Sequence, residues 1–214
     1  MTTRHEFLAQ LHELLKPRHY LETGVQYGSS LNLAVHSEQA IGIDPLPLCQ
    51  PHGNQHIFTV TADDYFQYYI AAEDWIDFAF IDGSHLFEDA LRDFINVEHY
   101  GHKNTVVVFD DVLPYNAEIA SREILPGDWT GDVWKIYYIL TLHRPDLTVF
   151  LVDTWPTGTM VVHNLDPSDT VLPFCYQQLL DKYQSIEDVP QDILGRSQAV
   201  SPQYVLNHLG AVKQ

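Results

Sequence analysis

The amino-acid sequence predicts an α/β fold, in which helices cover both faces of a doubly wound, mostly parallel sheet with an antiparallel last strand. Short apolar runs alternate with amphipathic segments along the 214 residues, which is the pattern of parallel strands joined by crossover helices. The amphipathic segments have about the length that such crossovers need. The last two apolar runs are joined by WPTG, whose Pro156 and Gly158 favour a turn. We therefore expect a terminal antiparallel hairpin, with the reversed strand at the edge of the sheet.

Seven apolar runs are predicted to be strands, and amphipathic segments between and around them are predicted to be helices. The predicted strands are HYLETG (19–24), AIGID (40–44), HIFTVT (56–61), IDFAFID (76–82), TVVVFDD (105–111), LTVFLVDT (147–154) and GTMVVHNL (158–165). The predicted helices are 4–16, 29–37, 63–72, 86–100, 131–145, 174–186 and 201–210. We expect residues 1–165 to form one domain. Residues 166–214 are expected to be a helical extension packed on that domain, as a cap or as a contact in a homo-oligomer.

The composition limits the classes of partner. The chain has 11 Lys and Arg residues against 29 Asp and Glu, and a formal net charge of −18. This charge opposes the phosphate backbone, so nucleic acids are not expected as partners. Cys49 and Cys175 are too few for a disulfide framework and have no zinc spacing. The first 20 residues contain neither a signal-peptide core nor a spanning apolar run. We therefore expect a cytoplasmic protein that does not enter a membrane.

Acidic residues stand at the end of each predicted parallel strand. In an open parallel sheet, ligands bind beyond the carboxyl ends of the strands, near the point where the strand order reverses. The residues at these ends are Glu22 with Gly24, Asp44, Asp63 with Asp64, Asp82 with His85, and Asp110 with Asp111. They are the first candidates for a binding site.

The turn after the first predicted strand, GVQYGSS, indicates a close approach to a ligand. Gly24 and Gly28 would let the backbone come near a bound molecule, and two serines follow at a predicted helix start. A purely structural turn would look the same, and the spacing is not the G-x-G-x-x-G fingerprint. Asp44 ends the second strand about twenty residues later, where an acid can bind a pair of ribose hydroxyls. Together these features predict an adenosine-containing ligand, either a nicotinamide dinucleotide or S-adenosylmethionine.

Four motifs, ETGVQYGSS, GIDP, FIDGSH and VVVFDD, occur in this order. With them the sequence resembles the class I S-adenosylmethionine-dependent methyltransferases. Within this class, the sequence resembles the branch that contains small metal-assisted sugar O-methyltransferases and many bacterial relatives. The motifs that carry this resemblance are TADDYF, IDGSHLFEDALRDF and GDVWK. The resemblance covers roughly residues 18–165 and implies a Rossmann-like sheet of seven strands with a reversed last strand.

The resemblance implies roles for the strand-end residues. It implies that the cofactor is bound by Glu22, Gly24, Gly28, Ser29, Ser30, Asp44, Asp63, Asp64 and Asp82. Asp44 would hold the ribose hydroxyls, and Asp63 or Asp64 would lie beside the adenine. Asp64 is equally suited to cap the helix that follows it.

Three carboxylates and one histidine suggest how a hydroxyl could be activated. Asp82, Asp110 and Asp111 end neighbouring predicted strands, and carboxylate oxygens are the ligands that Mg²⁺ prefers. The alternative is that the acid pair only caps the next loop. In the sugar O-methyltransferases, acids matching these three hold magnesium and a histidine matching His85 is the base. His85 and Asp82 are accordingly the candidate catalytic residues, with Mg²⁺ or Mn²⁺ as a second cofactor.

Two later motifs offer candidates for the wall of an acceptor pocket. LPYN and WTGDVWK contain Tyr115, Asn116, Trp129, Asp132 and Lys135. Trp134, Ile136 and Tyr137 are more typical of the packed face of a helix. The predicted function is therefore metal-assisted O-methylation of a small hydroxylated acceptor such as a glycosyl group. The alternatives are an NAD-dependent oxidoreductase and a catalytically silent cofactor-binding or assembly protein.

Overall fold

The computed structural model describes residues 1–71 and 75–212, and its centre is a seven-stranded sheet. The strands are β1 (His19–Thr23), β2 (Gln39–Ile43), β3 (Gln55–Phe58), β4 (Phe78–Ile81), β5 (Val106–Asp110), β6 (Thr148–Val152) and β7 (Thr159–His163). Their order across the sheet is β3-β2-β1-β4-β5-β7-β6. Each lies within a run predicted from the sequence or overlaps it.

The first five strands are parallel, and β7 is antiparallel to both of its neighbours. This confirms the predicted antiparallel last strand. Its position differs from the prediction, because β7 lies between β5 and β6 and the edge strand is β6. All five residues of β7 are buried, whereas β6 begins with three half-buried residues. A strand buried along its whole length is suited to pair on both sides, which explains the inner place of β7.

The helices are α1 (Arg4–Leu15), α2 (Ala62–Tyr68), α3 (Phe87–His99), α4 (Lys135–His143), α5 (Val171–Tyr183), α6 (Gln191–Leu194) and α7 (Pro202–Val212). They pack on the two faces of the sheet because side chains alternate between faces along each strand. On β4, Ala79 and Ile81 join the larger apolar cluster, which α3, α4 and α5 complete. Phe78 and Phe80 point the other way, into the cluster completed by α1 and α7.

The predicted helix at 29–37 does not form, and a single 3₁₀ turn, Leu31–Leu33, stands in its place. Two polar side chains in this segment are bound elsewhere: the Ser30 hydroxyl donates to Glu22, and Asn32 Oδ1 accepts from the Gln55 amide. A short segment whose side chains form such contacts gains little from a helical conformation. The turn after β1 therefore presents no helix N-terminus to a ligand.

Other boundaries differ less. Helix α2 ends at Tyr68, and the predicted extension to residue 72 falls partly outside the described residues. The short α6 is not predicted by the sequence. After β7, α5 packs against α3 and α4, while α7 packs against α1 and β6. Among residues 1–71 and 75–212, no helix is both long enough and apolar enough to cross a membrane.

Candidate active site

Beyond the carboxyl ends of the central strands lies a cavity of about 670 Å³, here called the main cavity. A second cavity of about 360 Å³, here called the side cavity, extends towards the start of α2. Gly24, Asp44 and Gly83 line both cavities, so the two are contiguous. Their place agrees with the sheet topology, because the strand order reverses between β1 and β4.

Gly24 keeps the ends of β1 and β4 close together. Its φ of +86° is in the left-handed region, and a Cβ at this position would lie 1.8 Å from the carbonyl oxygen of Asp82. Any side chain there would push the two strand ends apart. The bare backbone that results faces both cavities, as expected where a ligand approaches closely.

Asp44 directly follows β2 and lies at the boundary of the two cavities. Its carboxylate accepts hydrogen bonds from the backbone N–H of Gln26 at 2.8 Å and of Leu46 at 2.7 Å. These bonds fix the carboxylate and also tie the loop after β1 to the loop after β2. The remaining lone pairs of the two oxygens can accept bonds from a ligand.

Four predicted cofactor residues are not among the described residues that line either cavity: Glu22, Gly28, Ser29 and Ser30. Glu22 is fully buried, and it accepts hydrogen bonds of 2.7 Å from the Tyr20 and Ser30 hydroxyls. Burial raises the pKa of Glu22 to about 8. In this structure, Glu22 and Ser30 support the turn from inside the protein.

Of the two acids at the start of α2, Asp63 lines the side cavity and forms an ion pair of 2.8 Å with Arg92. Asp64 instead accepts a bond of 2.8 Å from the hydroxyl of Thr61, the N-cap residue of α2. Asp64 therefore supports the helix start from the third position of the helix, whereas the expected role of N-cap residue belongs to Thr61. Asp93 also lines the side cavity and was not predicted from the sequence; its burial raises its pKa to about 7.

Asp82, His85 and Asp111 form a cluster in the wall of the main cavity. His85 Nε2 lies 3.3 Å from Asp82 Oδ1, and His85 Nδ1 lies 3.2 Å from Asp111 Oδ2. One candidate ligand atom from each residue lies within 4.8 Å of the others. The sequence predicted that these residues meet, and the strand ends bring them together.

Asp110, the third predicted metal ligand, is not part of this cluster. Its Oδ2 forms an ion pair with the guanidinium of Arg4, the first residue of α1. Asp110 is buried, and burial raises its pKa well above the usual range. Arg4 thus provides a fixed positive charge beside a carboxylate that is predicted from the sequence to bind a metal ion.

The titration of the cluster follows from burial and from its own charges. Burial alone would lower the pKa of His85, but the hydrogen bond to Asp82 and the charge of Asp111 outweigh it and raise that pKa to about 9. Burial, together with the charge of Asp82, raises the pKa of Asp111 to about 6. Around neutral pH the imidazole is therefore cationic when no metal is bound.

The GDVWK segment holds His85 in place. Gly131 has a φ of +55°, and a Cβ there would lie 1.9 Å from the carbonyl oxygen of His85. Asp132 accepts a 2.9 Å bond from the backbone N–H of Phe87 at the start of α3, and it forms an ion pair of 2.8 Å with Lys135. Asp132 and Lys135 are therefore buried structural residues rather than parts of an acceptor pocket.

Two tryptophans stand on the walls of the main cavity. The Trp129 ring stacks on His85 with a centroid distance of 5.0 Å, and Trp155, from the turn between β6 and β7, lies in another part of the wall. Trp129 is one of the predicted acceptor residues, whereas Tyr115 and Asn116 are exposed outside the cavity lining. Trp155 was missed; its signal in the sequence was an aromatic residue in a tight turn.

The N-terminal segment also contributes to the main cavity, through Thr3, Arg4 and His5. The backbone N–H of Arg4 donates to the carbonyl of Trp155 at 3.2 Å, and the N–H of Trp155 donates to Thr2 at 2.9 Å. This short pairing fixes the start of α1 beside the turn between β6 and β7. No local pattern in the sequence indicates a contact between residues so far apart.

The residues present fit both an adenosine-containing cofactor and a divalent cation. The bare backbone at Gly24 and the fixed carboxylate of Asp44 suit a nucleoside that extends from the side cavity into the main one. Two carboxylates and an imidazole within 4.8 Å are a common donor set for a divalent metal.

Comparisons with known proteins agree with this geometry. Residues 21–112 match a family described as a methyltransferase domain. A relative from Acanthamoeba polyphaga mimivirus, itself uncharacterised, is 31% identical over an alignment of 127 residues, which covers 50% of this chain and 56% of the relative. The alignment thus spans little more than half of that relative's length.

Two solved O-methyltransferase structures share the fold. TomG from Streptomyces achromogenes, involved in tomaymycin synthesis and solved with S-adenosylmethionine, has a TM-score of 0.56 at 20% identity, covering 76% of this chain and 80% of its own. The enzyme from Bacillus cereus, solved with S-adenosylhomocysteine, has a TM-score of 0.56 at 14% identity and the same coverage. Residues 21–112 thus match a methyltransferase domain, and the sheet has the fold of these two solved structures.

Proposed function

We propose that this protein transfers a methyl group from S-adenosylmethionine to a hydroxyl of a small, neutral, ring-shaped acceptor, with the help of a divalent cation. The observation that carries the proposal is the Asp82–His85–Asp111 cluster, which lies in the main cavity next to the junction with the side cavity. A hydroxyl held there would meet both a reactive methyl group and groups able to take its proton.

The cofactor is proposed to span the two cavities. Its adenine would lie in the side cavity near Asp63, and its ribose hydroxyls would bind Asp44 at the boundary. Its methionine part would then pass Gly24 and Gly83, where backbone without side chains leaves room. This placement brings the sulfonium methyl into the main cavity, beside Asp82.

In the proposed reaction, a lone pair of the acceptor oxygen attacks the methyl carbon in line with the carbon–sulfur bond. The C–O bond forms as the C–S bond breaks, and S-adenosylhomocysteine leaves as a neutral thioether. The hydroxyl proton passes to the Asp82–His85–Asp111 cluster. A positioned proton acceptor typically contributes about 10² to 10⁴ in rate, and close alignment of the reacting atoms contributes further.

A divalent cation, when bound by the cluster, would lower the pKa of the acceptor hydroxyl and orient its oxygen. Trp129 holds the imidazole of His85 in one orientation through two contacts. Its ring stacks on the imidazole, and its backbone carbonyl accepts a hydrogen bond from Nδ1. Asp82 and Asp111 come from different strands, so the cluster also links β4 to β5.

The charges around the main cavity favour a neutral acceptor. Among residues 1–71 and 75–212, four carboxylates line it, from Asp44, Asp82, Asp111 and Asp128, while the charge of Arg4 is already paired with Asp110. An anionic acceptor would meet net repulsion here. The exposed rings and apolar side chains at the wall, including Trp155, suit the flat face of a sugar or an aromatic ring.

The proposal is tested by incubating the protein with S-adenosylmethionine labelled on the methyl carbon, Mn²⁺, and matched neutral and anionic rings. Suitable pairs are methyl glucoside with methyl glucuronate, and catechol with protocatechuate. The label is expected in an O-methyl ether of a neutral member, and Asp82→Asn is expected to abolish it. A labelled N-methyl product from amine controls, or a preference for the anionic members, would contradict the proposal.

A further inference from the structure

The turn between β6 and β7 forms part of the wall of the main cavity. Trp155, Pro156 and Thr157 all line that cavity. Trp155 is 55% exposed, so little packing around the indole holds it in one place. Its position therefore depends on how firmly the backbone of the turn is held.

Arg196, in the segment after α6, holds this backbone. Its Nη1 donates to the carbonyl oxygen of Thr154 at 3.1 Å, and its Nη2 donates to the carbonyl oxygen of Pro156. These two residues directly precede and follow Trp155. Nη1 also donates to Oδ1 of Asp153 at 2.6 Å, which places a counter-charge beside the guanidinium. One side chain thus binds the backbone on both sides of the indole.

The same guanidinium joins the turn to the loop that follows Asp111. Its Nη2 donates to the carbonyl oxygen of Leu113 at 3.0 Å. The N–H of Leu113 donates in turn to the carbonyl oxygen of Thr157 at 2.7 Å, so the two loops are bound to each other and to Arg196. A lysine could not replace these contacts, because only the planar guanidinium directs several N–H groups along fixed directions.

The backbone of Arg196 is anchored by contacts outside the turn. Gln198 accepts a bond of 2.8 Å from the Tyr137 hydroxyl of α4, and the N–H of Val200 donates to the carbonyl of Leu151 on β6 at 2.8 Å. The φ of Arg196 is +52°, in the left-handed region that is unfavourable for a residue with a side chain. Such conformations persist where the surrounding contacts require them, and they are frequent at functional sites.

We infer that Arg196 is a positioning residue, which holds Trp155 and the turn between β6 and β7 in the wall that receives the acceptor. The inference rests on the proposed function for the identity of that wall, and it gives the segment after α6 a role in acceptor binding. Gly24, Asp44 and Asp63, which are proposed to contact the cofactor, follow β1 and β2 or begin α2. Loss of the Arg196 contacts is therefore expected to affect the acceptor and not the cofactor.

The first test measures the position of Trp155 without an enzyme assay. The chain is labelled with 5-fluorotryptophan, and Trp155→Phe assigns the fluorine resonance of that residue. Arg196→Lys keeps a positive charge beside Asp153 but loses the forked bonds, so it is expected to shift or broaden this resonance. The resonance of Trp75, which packs on His19 at the start of β1, is expected to stay unchanged. An unchanged Trp155 resonance would overturn the inference.

The second test separates positioning from stability, with Arg144→Lys as the matched control. Arg144 makes forked bonds of 2.6 and 2.9 Å to Glu98, and neither residue is among the described residues that line the main cavity. Both lysine variants are expected to lower the midpoint of thermal unfolding and to leave S-adenosylhomocysteine affinity unchanged. The acceptor is methyl glucoside or catechol, whichever the unaltered chain methylates. Only Arg196→Lys is expected to raise its KM, by at least about fivefold with kcat nearly unchanged, since contacts shared by substrate and transition state act on KM.

Arg196→Gly is a second variant, which keeps the inference testable if Arg196→Lys does not fold. It removes the same bonds, and glycine adopts the left-handed backbone without strain. The same rise in KM and the same change in the Trp155 resonance are expected. Equal KM changes in Arg144→Lys and the Arg196 variants would overturn the inference.

The outcomes separate this inference from the proposed function. A displaced Trp155 resonance in a chain that methylates neither ring would refute the function and leave the positioning of Trp155 by Arg196 in place. Methyl transfer with the parental KM in both Arg196 variants would support the function and refute the role of Arg196.

Discussion

At the scale of single residues, Asp44 is central because it holds two loops and is proposed to bind the cofactor. Its carboxylate accepts two backbone N–H bonds and lines both cavities. Asp44→Ala is expected to weaken S-adenosylhomocysteine binding by roughly 1.5 to 3 kcal/mol for each ribose hydrogen bond lost, since the acceptor is charged. The measurement is titration calorimetry.

The control for Asp44 is Asp64→Ala. Asp64 was predicted from the sequence to bind the cofactor, but its carboxylate accepts from Thr61 and does not line either cavity among the described residues. Asp64→Ala is expected to change the affinity for S-adenosylhomocysteine by less than about twofold and to destabilise the start of α2. Similar losses for the two variants would remove the special role given to Asp44.

Glu22 gives a prediction for the pH dependence of stability. Burial raises its pKa to about 8, so the native chain keeps a proton that the unfolded chain loses near pH 4.5. The native state therefore binds more protons between these values, and the free energy of unfolding falls as pH rises from about 4.5 to 8. Glu22→Gln, which has no proton to lose, is expected to remove this part of the slope.

This prediction is checked by urea unfolding of parent and variant at several pH values. The variant should gain stability relative to the parent as pH rises through that range, and the difference should level off above about pH 8. A difference that is constant from pH 5 to 8 would show that Glu22 is ionised in the native protein.

At the scale of elements, the close approach of the GDVWK segment to His85 can be tested through Gly131. Gly131→Ala places a Cβ 1.9 Å from the His85 carbonyl oxygen, so the backbone must shift. We expect a loss of stability of about 1 to 3 kcal/mol from overpacking, in addition to the cost of a left-handed alanine. We also expect weaker Mn²⁺ binding, because the ring of His85 moves with its backbone.

Gly53→Ala is the matched control. Its φ of +63° is close to the +55° of Gly131, but a Cβ at Gly53 would meet no heavy atom within 4 Å. It therefore carries the conformational cost of about 1 to 2 kcal/mol without the close contact. If thermal unfolding and Mn²⁺ titration give equal effects for the two alanines, the packing of Gly131 on His85 does not position the imidazole.

Elements formed by local patterns were predictable from the sequence, and those that depend on distant partners were not. Each buried strand could be predicted from a run of apolar residues, such as VVVFD in β5. The acidic residues at the strand ends indicated where the site lies. The helix predicted at 29–37 failed because Ser30 and Asn32 bind partners on β1 and β3 that the sequence does not place nearby. The inner position of β7 likewise depends on pairing choices between strands.

The same limit applies to the site. Asp82, His85 and Asp111 could be found because strand ends meet at one edge of a parallel sheet. The pairing of Arg4 with Asp110 joins residues 106 positions apart, and no local pattern indicates it. The carboxylate of Glu22 is buried and bound by Tyr20 and Ser30, which the position of Glu22 near the strand end does not indicate.

At the scale of the whole molecule, the account depends on one cofactor spanning two contiguous cavities. The matched methyltransferase domain is the ground on which we propose S-adenosylmethionine rather than a dinucleotide. A ligand that binds the native state alone also raises the midpoint of thermal unfolding, by mass action.

The most direct test is titration calorimetry of the metal-free chain with S-adenosylhomocysteine and, separately, with NAD and NADP. The account predicts one S-adenosylhomocysteine per chain, weakened by Asp44→Ala, and no measurable heat from either dinucleotide. Saturable binding of NAD at the same stoichiometry, with no binding of S-adenosylhomocysteine, would contradict it and would assign the two cavities to a dinucleotide.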